Sequence, residues 1–407
     1  MTALLIQRGR LFDPASGLDA EGDLLVRGET IAGVGAVETC GDEQVVEAAG
    51  LWVLPGLVDL HVHLREPGQE YKETIASGSE AGAAGGFATL VAEPNTAPPR
   101  DDPQRIAEML AIAAERARVR VFQKSCITVG QRGKEVTDMA ALRAAGAVAA
   151  SDDGFSVRKA AIMREALTVA KEAGMPLTLH VDGPQMMARD IELASEADWP
   201  VHFSHVSLAD EVELIAQAQQ RGLRVTGEAT PHHLALCADD ARRGDPDFKM
   251  NPPLRPAGDR EALRKALGAG VISVIASDHA PHSVAEKSVA YDKAPFGVIG
   301  LETTLGVIWT GLVHAGLLEP AAAVRAMTAA PATVLGMEGP ALREGARADI
   351  TLLDPERQWV VDPSEFRSLA RSCPFAGWRL RGKAVGTVAG GRLVLWEGMM
   401  MDLGAGP

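Results

Sequence analysis

Two histidines separated by one residue, His61-Val62-His63, lie near the end of an apolar run at 57–64. If that run is a β-strand, alternate residues share a face and both imidazoles point the same way. Paired neutral imidazoles are ready ligands for zinc or a similar divalent metal. Further polar clusters end apolar runs in the same fashion: Ser151-Asp152-Asp153-Gly154, His180-Val181-Asp182, His202-Phe203-Ser204-His205-Val206-Ser207 and Ser277-Asp278-His279-Ala280-Pro281-His282. Singly, each has an ordinary explanation. Paired Asp before Gly makes turns and caps helices, and a lone strand-end histidine is often structural. Together they supply four imidazoles (His61, His63, His180, His205) and two carboxylates (Asp153, Asp278). A mononuclear hydrolytic zinc site needs about three protein ligands and a water. Six candidates exceed that and suggest two metals about 3.5–4 Å apart, sharing a bridging ligand and a bridging hydroxide. Asp153 is the natural bridge, because a carboxylate has two oxygens and an imidazole one free lone pair. His202, three residues before His205, falls on the opposite face of a regular pleat and is expected to pack against helices. His232-His233, in Thr230-Pro231-His232-His233-Leu234, are expected to support the site rather than add ligands, since six ligands already satisfy two metals.

Side chains this far apart in sequence meet only if the elements carrying them converge. Eight apolar runs qualify as strands: 57–64, 88–93, 119–127, 147–151, 177–181, 201–206, 224–229 and 271–276. Helical stretches rich in Ala, Glu and Arg, such as 102–118, 158–173, 209–221 and 258–268, separate most of them. Alternation of this kind predicts an α/β fold with a parallel sheet, and eight units predict a (β/α)8 TIM barrel. A doubly wound open sheet is the competing arrangement. The barrel is preferred because it gathers the C-terminal ends of all eight strands into one ring, where the polar clusters fall. Short strand-like runs flank this region at 3–6, 23–26, 30–34, 45–48 and 51–54, and again at 349–353, 359–361, 384–388 and 392–396. They predict a small β-sandwich domain formed by both termini, residues 1–55 and 346–407, around a barrel at 56–345.

Composition narrows the function classes. The 407 residues carry 40 Lys and Arg against 54 Asp and Glu, a formal charge of −14, and have no basic stripe that would suit nucleic acid. A hydrophobic fraction of 46% excludes disorder for the chain as a whole. Cys40, Cys126, Cys237 and Cys373 form no CxxC pair, which suits a reducing cytosol and argues against a disulfide scaffold or thiolate zinc site. Residues 1–8 lack a basic leader and a long apolar run, and no segment reaches the ~18 apolar residues of a membrane span. The expectation is a cytoplasmic protein with no membrane partner. Met399-Met400-Met401, near the chain end, is expected to be a loose tail.

Five segments resemble one family. They are Val58-Asp59-Leu60-His61-Val62-His63-Leu64-Arg65-Glu66-Pro67-Gly68, Glu93-Pro94-Asn95-Thr96, Asn251-Pro252-Pro253-Leu254-Arg255, Ser277-Asp278-His279-Ala280-Pro281-His282 and Ala294-Pro295-Phe296-Gly297. All look like dihydroorotases of the amidohydrolase superfamily, over about 51–353 and including the terminal β domain. HxH alone would mark only the superfamily; the combination narrows the resemblance to the dihydroorotase branch. The resemblance implies that His61, His63 and Asp278 hold one zinc, that His180 and His205 hold a second, and that Asp153 and a hydroxide bridge them. In hydantoinases, allantoinases and some dihydroorotases a carboxylated lysine takes the bridging place. No Lys lies between Ala147 and Arg158, and Lys124 is only a fallback bridge. Arg65, Asn95 and His282 match the family's contacts to the substrate carboxylate, and Asn251 and the Phe296-Gly297 backbone its contacts to the pyrimidine ring. His63 is counted both as ligand and as part of the substrate wall.

The implied reaction is the reversible hydrolysis of L-dihydroorotate to N-carbamoyl-L-aspartate in pyrimidine biosynthesis. Asp278 serves as general base and then acid. Two departures stand out. The usual His-Cys-Glu-Asp of strand five is His180-Val181-Asp182-Gly183 here, and only 24 residues separate His180 from His205. The first puts the outer support of one zinc in question; the second opens the site on that side or leaves a gap for a partner chain. Competing readings are another cyclic amidase (allantoinase or dihydropyrimidinase type) and a silent dihydroorotase-like subunit that scaffolds aspartate transcarbamoylase. A homodimer and association with aspartate transcarbamoylase are the protein partners these readings bring.

Overall fold

The computed structural model describes residues 3–241 and 244–402, so Met1 and Thr2 of the leader segment lie outside the described residues. The chain begins with β1 (Leu4–Asp13), β2 (Leu18–Arg27), β3 (Thr30–Gly35), β4 (Gln44–Glu47) and β5 (Trp52–Pro55). Eight barrel strands follow: β6 (Leu57–Val62), β7 (Phe87–Ala92), β8 (Arg120–Ser125), β9 (Ala147–Ala150), β10 (Leu177–Leu179), β11 (Val201–Phe203), β12 (Val225–Ala229) and β13 (Val274–Ile275). They pair in sequence order, all parallel. The ring closes just past β13, where the His63 amide donates to the His279 carbonyl at 2.8 Å and Val62 bridges His279 in parallel. The polar clusters therefore do sit on one rim.

Helices on the outside return the chain between strands: α1 (Ile75–Ala84), α2 (Pro103–Arg116), α3 (Met139–Ala144), α4 (Ala160–Ala173), α5 (Pro184–Ala197), α6 (Ala209–Gln220), α7 (Pro231–Ala235) and α8 (Ala257–Gly268). Local chemistry sets their ends. Thr74 and Ser77 form a reciprocal capping box at the start of α1. Asp102 accepts from the Gln104 amide ahead of Pro103, which begins α2. Gly174, at φ 64°, stops α4 in the left-handed conformation that glycine adopts at no steric cost. Met163, Ala166, Leu167 and Ala170 of α4 form its buried stripe, at the 3–4-residue spacing of an amphipathic helix.

The last strands are β14 (Ile350–Val360), β15 (Arg379–Ala389), β16 (Arg392–Trp396) and β17 (Met399–Met400). With β1–β5 they make one nine-stranded sheet, in the order β17-β16-β15-β14-β5-β1-β2-β3, with β4 also beside β1. Pairing is antiparallel except for β1 with β4 and with β5. Both termini thus build the second domain around a core that includes Ile6, Leu24, Val26, Ile350, Leu352 and Val388. Buried threonines fasten it to the barrel: Thr351 donates to the Gly86 carbonyl at 2.6 Å and Thr387 to the Ala83 carbonyl at 2.7 Å. The methionine triplet is not a loose tail. Met399 and Met400 pair with Trp396 and Leu395, and the Met401 amide donates to Val394. Gly398, at φ 78°, makes the tight turn that allows this return. Among the described residues no helix is long and apolar enough to cross a membrane.

Candidate active site

Each barrel strand delivers an ionisable side chain to the same rim: His61 and His63 from β6, Glu93 after β7, Lys124 from β8, Asp153 after β9, His180 after β10, His205 after β11, Glu228 from β12 and Asp278 after β13. All are buried. Asp153 is central. Its Oδ1 lies 3.2 Å from His205 Nε2, 3.4 Å from His61 Nε2 and 3.5 Å from His180 Nδ1, while Oδ2 lies 3.5 Å from His63 Nε2. Asp278 Oδ1 stands 3.3 Å from His63 Nε2 and 3.5 Å from His61 Nε2. The six residues expected to ligate are thus one cluster, and a carboxylate with an oxygen toward each half occupies its middle.

Outer contacts fix which nitrogen each imidazole turns inward. His61 Nδ1 donates to Glu228 Oε1 at 2.6 Å, leaving Nε2 buried with no hydrogen-bond partner. His63 Nδ1 donates to Asn95 Oδ1 at 2.9 Å, which again frees Nε2. His180 Nδ1 and His205 Nε2 face each other at 2.9 Å beside the same Asp153 oxygen. Two imidazole nitrogens converging on one carboxylate oxygen, beside the inward Nε2 atoms of His61 and His63, make a donor set that fits divalent metal ions. His180 has weaker outer support: its Nε2 is 3.9 Å from Asp182, beyond hydrogen-bond reach. The loss of the usual residues after His180 therefore has a structural counterpart.

The four carboxylates dominate the electrostatics. Burial works to raise the Asp153 carboxyl, but His61, His180 and His205 hold it well below the usual range. Burial likewise opposes ionisation of Asp278, yet His61 and His63 keep it at about 2. Burial would lower the His61 imidazole, but Asp153, Glu93, Glu228 and Asp278 raise it well above the ordinary value. Arg65, His205 and Asp278 have φ of 61°, 35° and 47°. Such left-handed backbone costs non-glycine residues about 1–3 kcal/mol each and is tolerated where a side chain must be aimed.

Asp153 and its neighbour divide the labour. Asp152 accepts from the Ile127 and Thr128 amides and the Thr128 hydroxyl, tying the loop after β8. The Asp153 amide is held by Ser151 Oγ at 3.0 Å. Lys124 does not stand in for a bridge: it is fully buried and ion-paired with Glu93. His202 corrects an expectation. It lies inside the barrel, bonded to Thr226 Oγ1 at 2.8 Å and Glu228 Oε2 at 3.1 Å. Strand β11 ends at Phe203 and the chain turns before His205, so the alternation that set the two on opposite faces is interrupted. His233 is structural, bonded to Thr230 and the Pro252 carbonyl.

The other expected residues are less uniformly placed. Arg65 is buried, with Nε donating to the Pro281 carbonyl at 3.1 Å. Among the described residues no carboxylate comes within ion-pair distance of it. His282 Nε2 bonds the Phe296 carbonyl at 2.8 Å; burial first, then Arg65 and Lys72, push its imidazole down to about 3. Asn95 links His63 to the Asp153 carbonyl. The Gly297 amide already donates to Lys249 and its carbonyl accepts from Lys287. Asn251 is exposed and makes no hydrogen bond among the described residues. Sequence reasoning missed Glu228, which holds His61, His202 and the His205 amide together. Its only signal is a lone acid inside an apolar run.

A Dihydro-orotase-like family model matches residues 50–195. A dihydroorotase of Anaeromyxobacter dehalogenans is 43% identical over 96% of this chain and 97% of its own length. The chain belongs to the dihydroorotase family. A dihydroorotase of Pelotomaculum thermopropionicum is 44% identical, covering 97% of this chain and 99% of that protein. Among solved structures, L-hydantoinase (dihydropyrimidinase) from Arthrobacter aurescens superposes with a TM-score of 0.91 at 27% identity, covering 99% of this chain and 98% of that one. The chain therefore shares its barrel and terminal sheet with that L-hydantoinase.

Proposed function

We propose that this chain interconverts L-dihydroorotate and N-carbamoyl-L-aspartate, a step of de novo pyrimidine (UMP) biosynthesis, with two zinc ions bound by His61, His63, Asp153, His180, His205 and Asp278. The observation that carries the substrate assignment is Arg65, a buried guanidinium beside a cluster of metal-directed groups with, among the described residues, no carboxylate within ion-pair distance. A buried charge calls for an opposite one. A cyclic amide bearing a carboxylate supplies it; hydantoin, allantoin and dihydrouracil do not.

The excess of buried carboxylates, Glu93, Asp153, Glu228 and Asp278 against Lys124, supports bound cations. A nitrogen-rich donor set with carboxylates suits zinc. When bound, such a pair supplies a nucleophilic hydroxide near neutral pH and polarises the ring carbonyl. The chain's own groups do the rest. Arg65 orients the substrate through a planar fork matched to its carboxylate. Asp278, held ionised, accepts the proton of the attacking oxygen and returns it to the departing ring nitrogen. Asn95 and Glu228 keep His63 and His61 in the tautomers that turn Nε2 inward.

The reading places the enzyme in the cytoplasm. A second copy of the chain and aspartate transcarbamoylase are the protein partners this reading brings. The test is turnover of dihydroorotate and cyclisation of carbamoyl aspartate, with allantoin and dihydrouracil as competitors and metal analysis of protein purified without chelator. Turnover of the carboxylated pair alone with about two zinc per chain is expected. A metal-free, inactive chain would support the scaffold reading instead.

A further inference from the structure

Asp278 holds its carboxylate from left-handed backbone, φ 47°, without the freedom of glycine. Its neighbours therefore have to be fixed. On one side the Ser277 amide lies 3.2 Å from both carboxylate oxygens of Asp59. On the other stands His279, a buried residue outside the metal-directed cluster. We propose that Glu73, acting through His279, is a positioning residue for proton transfer by Asp278. The inference rests on the dihydroorotase reading, which gives Asp278 its task, and adds what aims it. The main chain of His279 is stitched into the ring closure. Its carbonyl accepts from the His63 amide at 2.8 Å, its amide donates to Ser277 Oγ at 3.0 Å, and it bridges Val62 and Val298. Its side chain is tied at both ring nitrogens. The Gly300 amide donates to Nδ1 at 3.3 Å, which places the imidazole hydrogen on Nε2, and Nε2 donates to Glu73 Oε2 at 3.3 Å.

Glu73 is built as an anchor. It is fully buried just ahead of α1. Ser77 Oγ and the Leu369 amide donate to its Oε1, and Ser368 Oγ and His279 Nε2 donate to its Oε2. These donors fill the roughly four acceptor sites of a carboxylate. One side chain thus joins the first turn of α1 and the segment after β14 to the residue beside Asp278. Among the described residues, none of these hydrogen bonds reaches the six metal-directed side chains. Any shift of the carboxylate would leave buried donors unpaired, so it gives His279 a rigid stop. With the link cut, the imidazole is free to turn and the peptide at 278–279 to relax. The Asp278 oxygen then drifts from His61 and His63.

The simplest competing role for Glu73 is to hold 368–369 against the barrel, with no part in turnover. His279→Asn separates the two. The shorter side chain keeps an oxygen for the Gly300 amide, falls short of Glu73, and leaves the other Glu73 donors in place. Measured with zinc in excess, kcat should fall about tenfold to hundredfold in both directions, the range seen when a ligand loses its outer partner. KM for dihydroorotate and zinc content should stay near wild type. His279→Gln, whose amide N–H reaches the Nε2 position, should restore much of kcat. In an Asp278→Asn background, His279→Asn should cost nothing further, since the group it aims is gone. If His279→Asn fails to fold, Glu73→Gln takes its place. Its oxygen stays with the Leu369 amide, which cannot accept, and its NH2 meets the His279 N–H. An unchanged kcat with a lowered Tm, a loss confined to KM, or an undiminished further loss without Asp278 would overturn the proposal. Absence of dihydroorotate turnover by the wild-type enzyme would instead remove the reading on which it rests.

Discussion

In the proposed reaction Asp278 is the residue on which the chemistry turns. Its carboxylate is buried, stays ionised through His61 and His63, and sits on strained backbone that aims it at both. Asp278→Asn keeps the size and one coordinating oxygen but removes the proton acceptor. Turnover in both directions should fall by ~10²–10⁴-fold, the usual worth of a general base, with the circular dichroism spectrum and most bound zinc retained. Wild-type rates in the variant would remove Asp278 from proton transfer. The six clustered residues were legible in sequence because histidines and aspartates, each ordinary alone, recurred at the ends of successive apolar runs. Glu228 and Glu93 were not, since one acid in an apolar run breaks no periodicity. His202 was misassigned for a related reason: alternation holds only while the strand lasts, and β11 stops at Phe203.

At the scale of elements, the order and direction of the eight strands were readable from apolar runs, because parallel strands covered on both faces lose their polar alternation. Their lengths were not. β13 keeps only two ladder residues, and His279 beyond it closes the ring. That closure depends on contacts between distant segments. The short connection between His180 and His205 is filled by α5, and His180 stays buried. The loop after β6 is sensitive to a small change. Gly68 has φ 99°, and a Cβ there would come within 1.8 Å of the Ala97 carbonyl oxygen. Gly68→Ala must shift the loop that carries Arg65 and Lys72. We expect a stability loss above about 1 kcal/mol, a raised KM for dihydroorotate, and unchanged zinc content, since His61 and His63 lie on or beside β6. Loss of zinc with an unchanged KM would show that the loop supports the metals rather than the substrate.

For the molecule as a whole, both termini were readable as one β domain from their matching strand texture, but not what binds that domain across the barrel. Much of that junction is polar. The segment at 366–369 after β14 donates to two carboxylates from the barrel side: Ser368 Oγ and the Leu369 amide to Glu73, and the Arg367 and Ser368 amides to Glu302. Burial raises the Glu302 carboxyl to about 7, with Glu73 adding to it against the lowering effect of the two amides and Arg367. In the unfolded chain the same group titrates near ~4.3. The folded state therefore holds its proton more tightly. The stability this contributes is complete below about pH 4 and is lost as pH rises toward 7. Glu302→Gln keeps an oxygen for both amides and cannot ionise. Relative to wild type, its Tm should gain steadily from pH 5 to 7 and level off above 8, by a few degrees in total. Thermal melts of both proteins in one buffer series measure that difference with every other titration cancelled. A Tm difference independent of pH would mean that Glu302 is ionised in the folded protein throughout, and that its two amide bonds outweigh its burial.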